Sequence, residues 1–159
     1  MTTPPRREAA RAIVLDADTR VLLLRYDEND DVGGFWATPG GAVEKGEDHD
    51  TAALRELREE LGIDEAAVEL GAQVAERSTD HMVGGHEVRQ VERYFLTRVS
   101  ASDVDLSRAT QPDNIREHRW WNLAELRATQ ETVYPVGLAD LVAAVADGRI
   151  PERPIVLTG

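Results

Sequence analysis

Residues 41–63, with the sequence GAVEKGEDHDTAALRELREELGI, constrain the structure of this chain more than any other segment. The central run AALRELREEL consists of strong helix formers. Asp48 and Asp50 precede the run, as N-capping residues do, and Gly62 follows it, where a helix commonly ends. The segment therefore predicts one helix with a defined beginning and end.

The acidic residues of this helix fall together. At 100° per residue, Glu56, Glu59 and Glu60 lie on one face, within an arc of about 100°. The residues of the neighbouring face predict the contact with the core: Leu54, Leu57 and Leu61. Like charges three or four residues apart repel, at roughly 0.2–0.5 kcal/mol per pair on an exposed helix. Such a cluster suits a hard divalent cation, whereas a bare glutamate triplet on its own would indicate a solvated helix face.

The spacing of the whole segment carries a stronger signal than the glutamates alone. With U for an aliphatic residue, it reads G-x5-E-x7-R-E-U-x-E-E-x-G-U without a gap. The matching positions are Gly41, Glu47, Arg55, Glu56, Leu57, Glu59, Glu60, Gly62 and Ile63. This pattern resembles the signature of the Nudix hydrolases, and the preceding W-x-x-P-G-G of residues 36–41 is similar to the lead-in found in that family.

The resemblance implies an activity and a metal site. It implies hydrolysis of a P–O–P bond in a nucleoside diphosphate derivative or a nucleoside triphosphate, with Mg²⁺, or Mn²⁺ in its place, as cofactor. Glu56 and Glu60 are the expected main ligands, Glu59 a ligand or the catalytic base, and Glu47 a further ligand. Arg55 is expected to orient these carboxylates through forked hydrogen bonds, the alternative being an ordinary surface pair with Glu59.

Substrate contacts are expected on both sides of the segment. Gly40 and Gly41 predict a tight turn with exposed backbone, and Trp36 is expected either to stack on a base or to lie in the core. Strand alternation between residues 89 and 95 places Arg89 and Arg93 on one face, where guanidinium groups suit a diphosphate but also suit surface acids. Glu92, on the opposite face, is a weaker candidate for contact with metal or substrate.

A loop acid offers a second candidate for the base. Many Nudix enzymes have an acidic residue before a tryptophan-containing strand, and Glu117 matches this position best, with Asp113 second. A solvated residue paired with a nearby arginine is the alternative interpretation of Glu117. Trp120 and Trp121 are adjacent, so we expect them to face opposite sides of a strand.

Composition bounds the remaining possibilities. A chain of 159 residues with 42% hydrophobic and 30% charged residues predicts a single soluble domain over residues 1–159, with a loose arm at 1–7 and a tail at 151–159. The net charge of −12 argues against affinity for duplex nucleic acid or anionic membranes but permits a nucleotide-type small molecule that binds through cations. The sequence contains no cysteine and indicates no signal peptide or membrane span. We expect a cytoplasmic protein, and a homodimer is left open.

The order of predicted elements gives the fold class. Strands are expected at residues 9–15, 21–26, 68–77, 87–99 and 117–122, and residues 35–43 are expected to form a strand, a turn and a second strand. Further helices are expected at 123–129 and 136–147. Residues 27–34 are predicted as an acidic loop, either a plain solvated loop or a flap. This order predicts an α/β protein, an α/β/α sandwich around a mixed sheet, which is also the fold that the Nudix resemblance implies.

Two other functional classes compete with a hydrolase. A Nudix-fold isomerase is disfavoured because the chain has no cysteine, and a non-catalytic sensing module is disfavoured because all four box glutamates are present. The subfamily is not identified. The long motif expected of coenzyme A pyrophosphatases and the proline-rich motif expected of NADH pyrophosphatases are both absent. Residues 78–81 carry neither the proline nor the tyrosine expected of some ADP-ribose and dinucleoside polyphosphate hydrolases.

Overall fold

The computed structural model describes residues 5–27, 34–110, 115–147 and 149–158. Nine strands are present in this part of the chain: β1 (Arg6–Leu15), β2 (Val21–Tyr26), β3 (Phe35–Ala37), β4 (Gly40–Ala42), β5 (Leu70–Val83), β6 (His86–Arg98), β7 (Ile115–Trp121), β8 (Val133–Tyr134) and β9 (Ile155–Leu157). Three α-helices accompany them: α1 (His49–Leu61), α2 (Leu123–Ala128) and α3 (Leu138–Ala146).

The strands form one mixed sheet that divides into two wings. One wing has the order β4-β1-β6-β5-β9, and the other contains β2 between β3 and β7, with β8 beside β3. The wings join where Leu15 of β1 pairs with Val21 of β2. Because β1 pairs with β4 and β2 pairs with β3 beyond this junction, a cleft separates the two wings.

Alternation along β1 divides the core into two layers. Ile13 and Leu15 pack in a cluster with α3, whereas Ala12 and Val14 pack in a cluster with Leu57 and Leu61 of α1. Successive side chains of a strand point to opposite faces, so one strand supplies both clusters. The helices therefore cover both faces of the sheet, and the predicted α/β/α sandwich around a mixed sheet is confirmed.

The tryptophan pair follows the same alternation. Trp121 is buried in the cluster that contains α3, and Trp120 packs against the cluster that contains α1. The expectation that the two side chains face opposite sides of the strand is thereby confirmed. Within the described residues, no helix is long and apolar enough to span a bilayer.

Three sequence-based boundaries were wrong. The arm predicted at 1–7 includes the start of β1, because Arg6 and Arg7 pair with β6. Residues 78–83, predicted as a loop, continue β5, because Gly84 and Gly85 have φ of 58° and 81° and so form a two-residue hairpin turn. The tail predicted at 151–159 contains β9, which pairs in parallel with β5.

Candidate active site

Helix α1 forms as the sequence predicts and carries the acidic cluster. The Asp48 side chain caps its N-terminus by accepting a hydrogen bond of 2.8 Å from the Thr51 amide, and Gly62 ends it in the left-handed conformation with φ of 66°. Leu57 and Leu61 fix the rotation of the helix by packing on the sheet. As a result, the glutamate face turns toward β4 and the turn before it.

Arg55 holds three carboxylates at once. It donates to Glu47 from Nε at 2.8 Å and from Nη2 at 3.0 Å, and its Nη1 lies 3.1 Å from an oxygen of Glu56 and 3.1 Å from an oxygen of Glu59. Its Nη2 also donates to the Ala42 carbonyl. A guanidinium fork with this many partners fixes the carboxylates relative to one another, so Arg55 makes more than an ordinary pair with Glu59.

Glu60 is the most enclosed carboxylate of the cluster. Its two oxygens accept hydrogen bonds from the Gly40 amide at 2.8 Å and from the Tyr26 hydroxyl at 2.9 Å. Burial disfavours the charged form and, together with the nearby Glu56, outweighs these two donors, so the pKa of Glu60 is raised to about 7. The Arg11 guanidinium also favours the ionised form of Glu60, but it does not offset the effect of burial on the pKa.

The turn between β3 and β4 leaves room for the carboxylates. Gly40 has φ of 143°, and a Cβ there would lie 2.2 Å from the Ala10 carbonyl oxygen. A Cβ on Gly41 would lie 2.5 Å from an oxygen of Glu56. Both glycines are needed at the start of β4, Gly40 for its backbone conformation and Gly41 for the approach of Glu56.

The chemistry of these carboxylates suits a divalent cation. Burial raises the pKa of Glu56 as well as that of Glu60, which indicates a site that lacks positive charge even with Arg55 beside it. Carboxylate oxygens are the donors that Mg²⁺ prefers. Among the residues that the structure describes, however, no three acidic or histidine side chains are already arranged around one point as metal ligands.

A cavity of about 410 Å³ opens beside the acidic cluster, in the cleft between the two wings. Its lining includes three aromatic side chains, two arginines and a carboxylate: Phe35, Tyr94, Tyr134, Arg11, Arg77 and Glu92. Arg11 links the cavity to the acidic cluster, because its Nη1 donates to the Gly40 carbonyl at 3.1 Å while the Gly40 amide donates to Glu60.

Sequence reasoning missed both arginines of this cavity. Arg11 lies in an early strand and Arg77 in a strand that follows the helix, and nothing in their local sequence distinguishes them from surface arginines. Glu92 was considered only as a weak candidate. The available signal was its place with Gln90 and Tyr94 on the β6 face opposite Arg89 and Arg93, since Gln90, Glu92 and Tyr94 all line the cavity.

Several predicted substrate contacts lie elsewhere. Arg89 is exposed and paired with Asp80 at 2.9 Å, and Arg93 lies on the α1 face of β6, so neither lines the cavity. Trp36 is only 3% exposed and packs edge-on against Trp121, with ring centroids 5.3 Å apart. Because its faces are covered in the core, the stacking role considered for Trp36 is corrected to a core role.

The two candidates for the base occupy different places. Glu59 is buried within the acidic cluster and bonded to Arg55. Glu117 is exposed on β7 and pairs in register with Arg25, whose guanidinium lies over the Trp36 ring, 5.5 Å from the ring centroid. This pair lies next to an irregularity in the β2–β7 pairing, and Glu117 also lines a small cavity of about 80 Å³ together with Glu60 and Leu61 of α1. Asp113, and residues 28–33 of the predicted flap, lie outside the described residues.

Comparison with known proteins decides the family. The family model described as NUDIX domain matches residues 5–141. The chain belongs to the Nudix family. The sequence-based recognition is thereby confirmed, and this Nudix protein is a pyrophosphohydrolase, an enzyme that acts on pyrophosphate bonds.

Relatives and solved structures of this Nudix protein support the assignment. An RNA pyrophosphohydrolase of Sphingopyxis alaskensis is 33% identical over 131 residues, which cover 77% of this chain and 81% of the relative. An RNA pyrophosphohydrolase of Rhodospirillum rubrum is 27% identical over 154 residues, which cover 93% and 92% of the two chains. The crystal structure of a MutT protein from Methanosarcina mazei Go1 superposes with a TM-score of 0.65 at 22% identity and covers 95% of this chain and all of the other, which supports the fold.

Proposed function

We propose that this Nudix protein hydrolyses a P–O–P bond of a nucleoside polyphosphate or nucleoside diphosphate derivative with Mg²⁺ as its cofactor. The observation that carries the proposal is the carboxylate cluster that Arg55 and the Gly40 turn hold beside the cleft. Nudix hydrolases generally use divalent metals, typically Mg²⁺.

The roles of the residues follow from their contacts. Glu56 and Glu60 would hold the cation, with Glu59 and Glu47 as further ligands. When bound, the cation neutralises phosphate oxygens and lowers the pKa of a water molecule. Arg55 holds the carboxylates in fixed positions relative to one another. Its two bonds to Glu47 suggest that Glu47 in turn steadies Arg55.

A carboxylate must also accept the proton of the attacking water. Glu59 is the better candidate for this general base, because it lies in the cluster and bonds to Arg55, whereas Glu117 is an exposed residue at the edge of a small cavity that Glu60 also lines. A base has to come within hydrogen-bond reach of the water that it deprotonates, directly or through one further water. The proton acceptor would then come from the same helix as the main metal ligands.

The nucleoside is proposed to enter the cavity in the cleft. Its volume of about 410 Å³ lies within the range of small-molecule pockets. Phe35, Tyr94 and Tyr134 supply aromatic walls, and Gln90 and Thr79 supply polar groups for the edges of a base or sugar. A nucleoside placed there would direct its phosphates past Arg11 toward the acidic cluster.

The names of the relatives raise a more specific substrate, the triphosphate end of an RNA. That end presents the same chemical group as a nucleoside triphosphate, so the cavity would accept it. The net charge of −12 opposes a longer polyanion, because further phosphates would approach an acidic surface. We therefore propose that recognition ends at the terminal nucleotide.

A product-resolved hydrolysis assay tests the proposal. ATP, GTP, ADP-ribose and an oligonucleotide with a 5′-triphosphate are incubated with the protein in Mg²⁺, in Mn²⁺ and after chelation. We expect metal-dependent release of a nucleoside monophosphate or a monophosphate end, with the oligonucleotide hydrolysed no faster than the better of the two triphosphates. Glu56→Gln and Glu60→Gln should lower turnover by orders of magnitude, whereas Arg98→Met at the exposed end of β6 should not.

Two outcomes would contradict the proposal. Unchanged turnover in both glutamine variants, with native-like metal dependence, would remove the carboxylates from the metal site. Failure to cleave any P–O–P bond with either metal would favour a ligand-binding module without catalysis. A strong preference for the oligonucleotide would retain the chemistry but contradict recognition of a single nucleotide.

A further inference from the structure

A buried carboxylate joins two arginines on the floor of the cavity. Glu92 is 3% exposed, and its two oxygens are shared between Nε of Arg11 at 2.8 Å and Nη1 of Arg77 at 2.6 Å. Although burial by itself raises the pKa of Glu92, the two guanidinium groups outweigh it and hold the pKa below its ordinary value. The group of Arg11, Glu92 and Arg77 therefore contains three charges, with one positive charge in excess.

Each arginine of this group has a second attachment. Arg11 donates through Nη1 to the Gly40 carbonyl, and Arg77 donates through Nε to the Thr158 carbonyl and lies over the Tyr134 ring, 5.7 Å from its centroid. Arg77 is thus tied to the outer wall of the cavity. Arg11 is tied to the turn that also contacts Glu60, so it stands where the cavity meets the acidic cluster.

Arg11 retains a free donor at this position. Within the described residues, its Nη2 has no hydrogen-bond partner, although Nε and Nη1 are both engaged, and Arg11 lines the cavity. A guanidinium held on two sides with its third nitrogen open is preorganised for one anionic oxygen, because little side-chain freedom remains to be lost on binding.

We propose that Arg11 binds the phosphate that remains on the nucleoside and that Glu92 is the positioning residue that aims it. The inference rests on the proposed function, since it takes a nucleotide as the ligand. Glu92 also prevents Arg11 from turning toward Glu60, a carboxylate that would otherwise compete for the same guanidinium. The group of Arg11, Glu92 and Arg77 thus separates the nucleoside pocket from the metal-binding carboxylates.

Positioning by Glu92 and simple electrostatics make opposite predictions. If Glu92 only reduced the positive charge of the cavity, its neutralisation would strengthen the binding of a phosphate. If Glu92 aims Arg11, the isosteric Glu92→Gln change weakens that binding, because the amide cannot hold two guanidinium groups through charged acceptors. We expect weaker binding.

Equilibrium binding of reaction products provides the test. The dissociation constants of adenosine 5′-monophosphate and adenosine, and of the corresponding guanine pair, are measured by calorimetry with Mg²⁺ and after chelation. In the parent protein, the monophosphate of the better-bound base should bind at least about tenfold more tightly than its nucleoside, as expected for a charge-assisted contact. Arg11→Met should abolish this preference while the affinity for the nucleoside changes little.

The remaining variants separate positioning from folding and from general charge. Arg11→Lys keeps the charge without the fork and should lie between the parent and Arg11→Met. Arg98→Met removes a positive charge from the exposed end of β6 and should keep the full preference. Combining Glu92→Gln with Arg11→Met should cause no loss beyond that of Arg11→Met alone, because the carboxylate acts through the arginine. If Glu92→Gln does not fold, the two Arg11 variants still decide the phosphate contact.

The results that would overturn the proposal are distinct from those that concern hydrolysis. A parent protein without preference for the monophosphate, or Arg11→Met with the preference intact, overturns the contact. Stronger binding of the monophosphate to Glu92→Gln overturns the positioning role. A protein that shows the Arg11-dependent preference but cleaves no substrate would contradict the proposed hydrolysis and retain the contact.

Discussion

Tyr26 donates a hydrogen bond of 2.9 Å to Glu60, across the gap between β2 and α1. The bond ties β2 to the acidic face of α1, a helix that packs against residues of both β1 and β2. Even with this donor and the Gly40 amide, burial raises the pKa of Glu60 to about 7. The metal-free protein therefore carries a carboxylate that is easier to ionise in the unfolded chain than in the native state.

The sign of this shift predicts how metal-free stability depends on pH. Glu60 binds its proton more tightly in the folded protein than in the unfolded chain. Its stabilising contribution to the folded state is therefore fully present below its ordinary pKa of 4.5 and is lost as the pH rises through about 7. We expect Glu60→Gln to raise the free energy of unfolding at pH 8, by roughly 1–3 kcal/mol, and to have little effect near pH 4.5. Thermal midpoints in chelator at several pH values measure this difference.

The difference in stability between the parent and the Glu60→Gln variant excludes the titration of other groups. Carboxylates with a lowered pKa, such as Glu92, contribute less to the stability of the folded protein as the pH falls. This loss is the same in the parent and in the Glu60→Gln variant. A Glu60→Gln variant that is less stable than the parent at pH 8 would show that Glu60 is well solvated or well compensated in the metal-free protein.

Metal binding should offset the destabilisation that ionised Glu60 causes in the metal-free protein. A cation that binds only the native state stabilises it by mass action, by about 2.7 kcal/mol at a hundredfold excess over its dissociation constant. We expect the thermal midpoint to rise with millimolar Mg²⁺ or Mn²⁺ and the rise to be blunted in Glu56→Gln. Glu65→Gln, in an exposed turn after α1, is the matched control and should keep the full response. An unchanged midpoint in the parent would argue against a functional site at α1.

The acidic cluster could be predicted from sequence because its geometry is local. Helix periodicity alone places Glu56, Glu59 and Glu60 on one face, and Asp48 and Gly62 define the ends of the helix. The resemblance to the Nudix signature also pointed to Arg55 as the residue that orients the glutamates. Each of these inferences spans only a few turns of chain, so no knowledge of strand pairing was required.

The cavity could not be predicted, because it depends on the register of distant strands. Arg11 contacts Glu92, which lies 81 residues away in sequence, and Arg77 contacts Thr158 at the same separation. Which residues of β1, β5 and β6 face one another is set by pairing, and a shift of one residue would move every side chain to the other face. The short strand β9 was missed for a related reason, since three residues without a turn signal resemble a tail.

Because Glu56 lies close to the backbone of Gly41, one added methyl group at that position should lower the affinity for metal. In Gly41→Ala, the added Cβ would lie 2.5 Å from a carboxylate oxygen at the end of a flexible side chain. Glu56 can move aside, so we expect the thermal midpoint of the metal-free protein to change little. The displaced carboxylate should lower Mg²⁺ affinity, because Mg²⁺ requires near-ideal octahedral geometry. Calorimetric titration with Mg²⁺ and Mn²⁺ measures the loss.

Gly46→Ala is the matched control for Gly41→Ala, since no atom lies within 4 Å of a Cβ built at Gly46. The positive φ of 82° at Gly46 strains an alanine, so this variant should lose some stability while keeping its metal affinity. Native metal affinity in Gly41→Ala would show that Glu56 can bind from a second position and that the closeness of the turn is not required.

The last prediction concerns the general base, for which Glu59 and Glu117 compete. A general base contributes about 10²–10⁴-fold to the rate, whereas a solvated acid that does not reach the attacking water contributes almost nothing. We expect Glu59→Gln to lower the catalytic constant within this range and Glu117→Gln to leave it nearly unchanged. Steady-state kinetics at saturating metal, with metal affinity measured in parallel, separate loss of a base from loss of a ligand.

The opposite pattern would relocate the base. If Glu117→Gln loses activity at native metal affinity and Glu59→Gln remains active, the base lies at the start of β7, where Glu117 lines a small cavity together with Glu60. Loss of both rate and metal affinity in Glu59→Gln would make Glu59 a ligand, and the proton would need another acceptor.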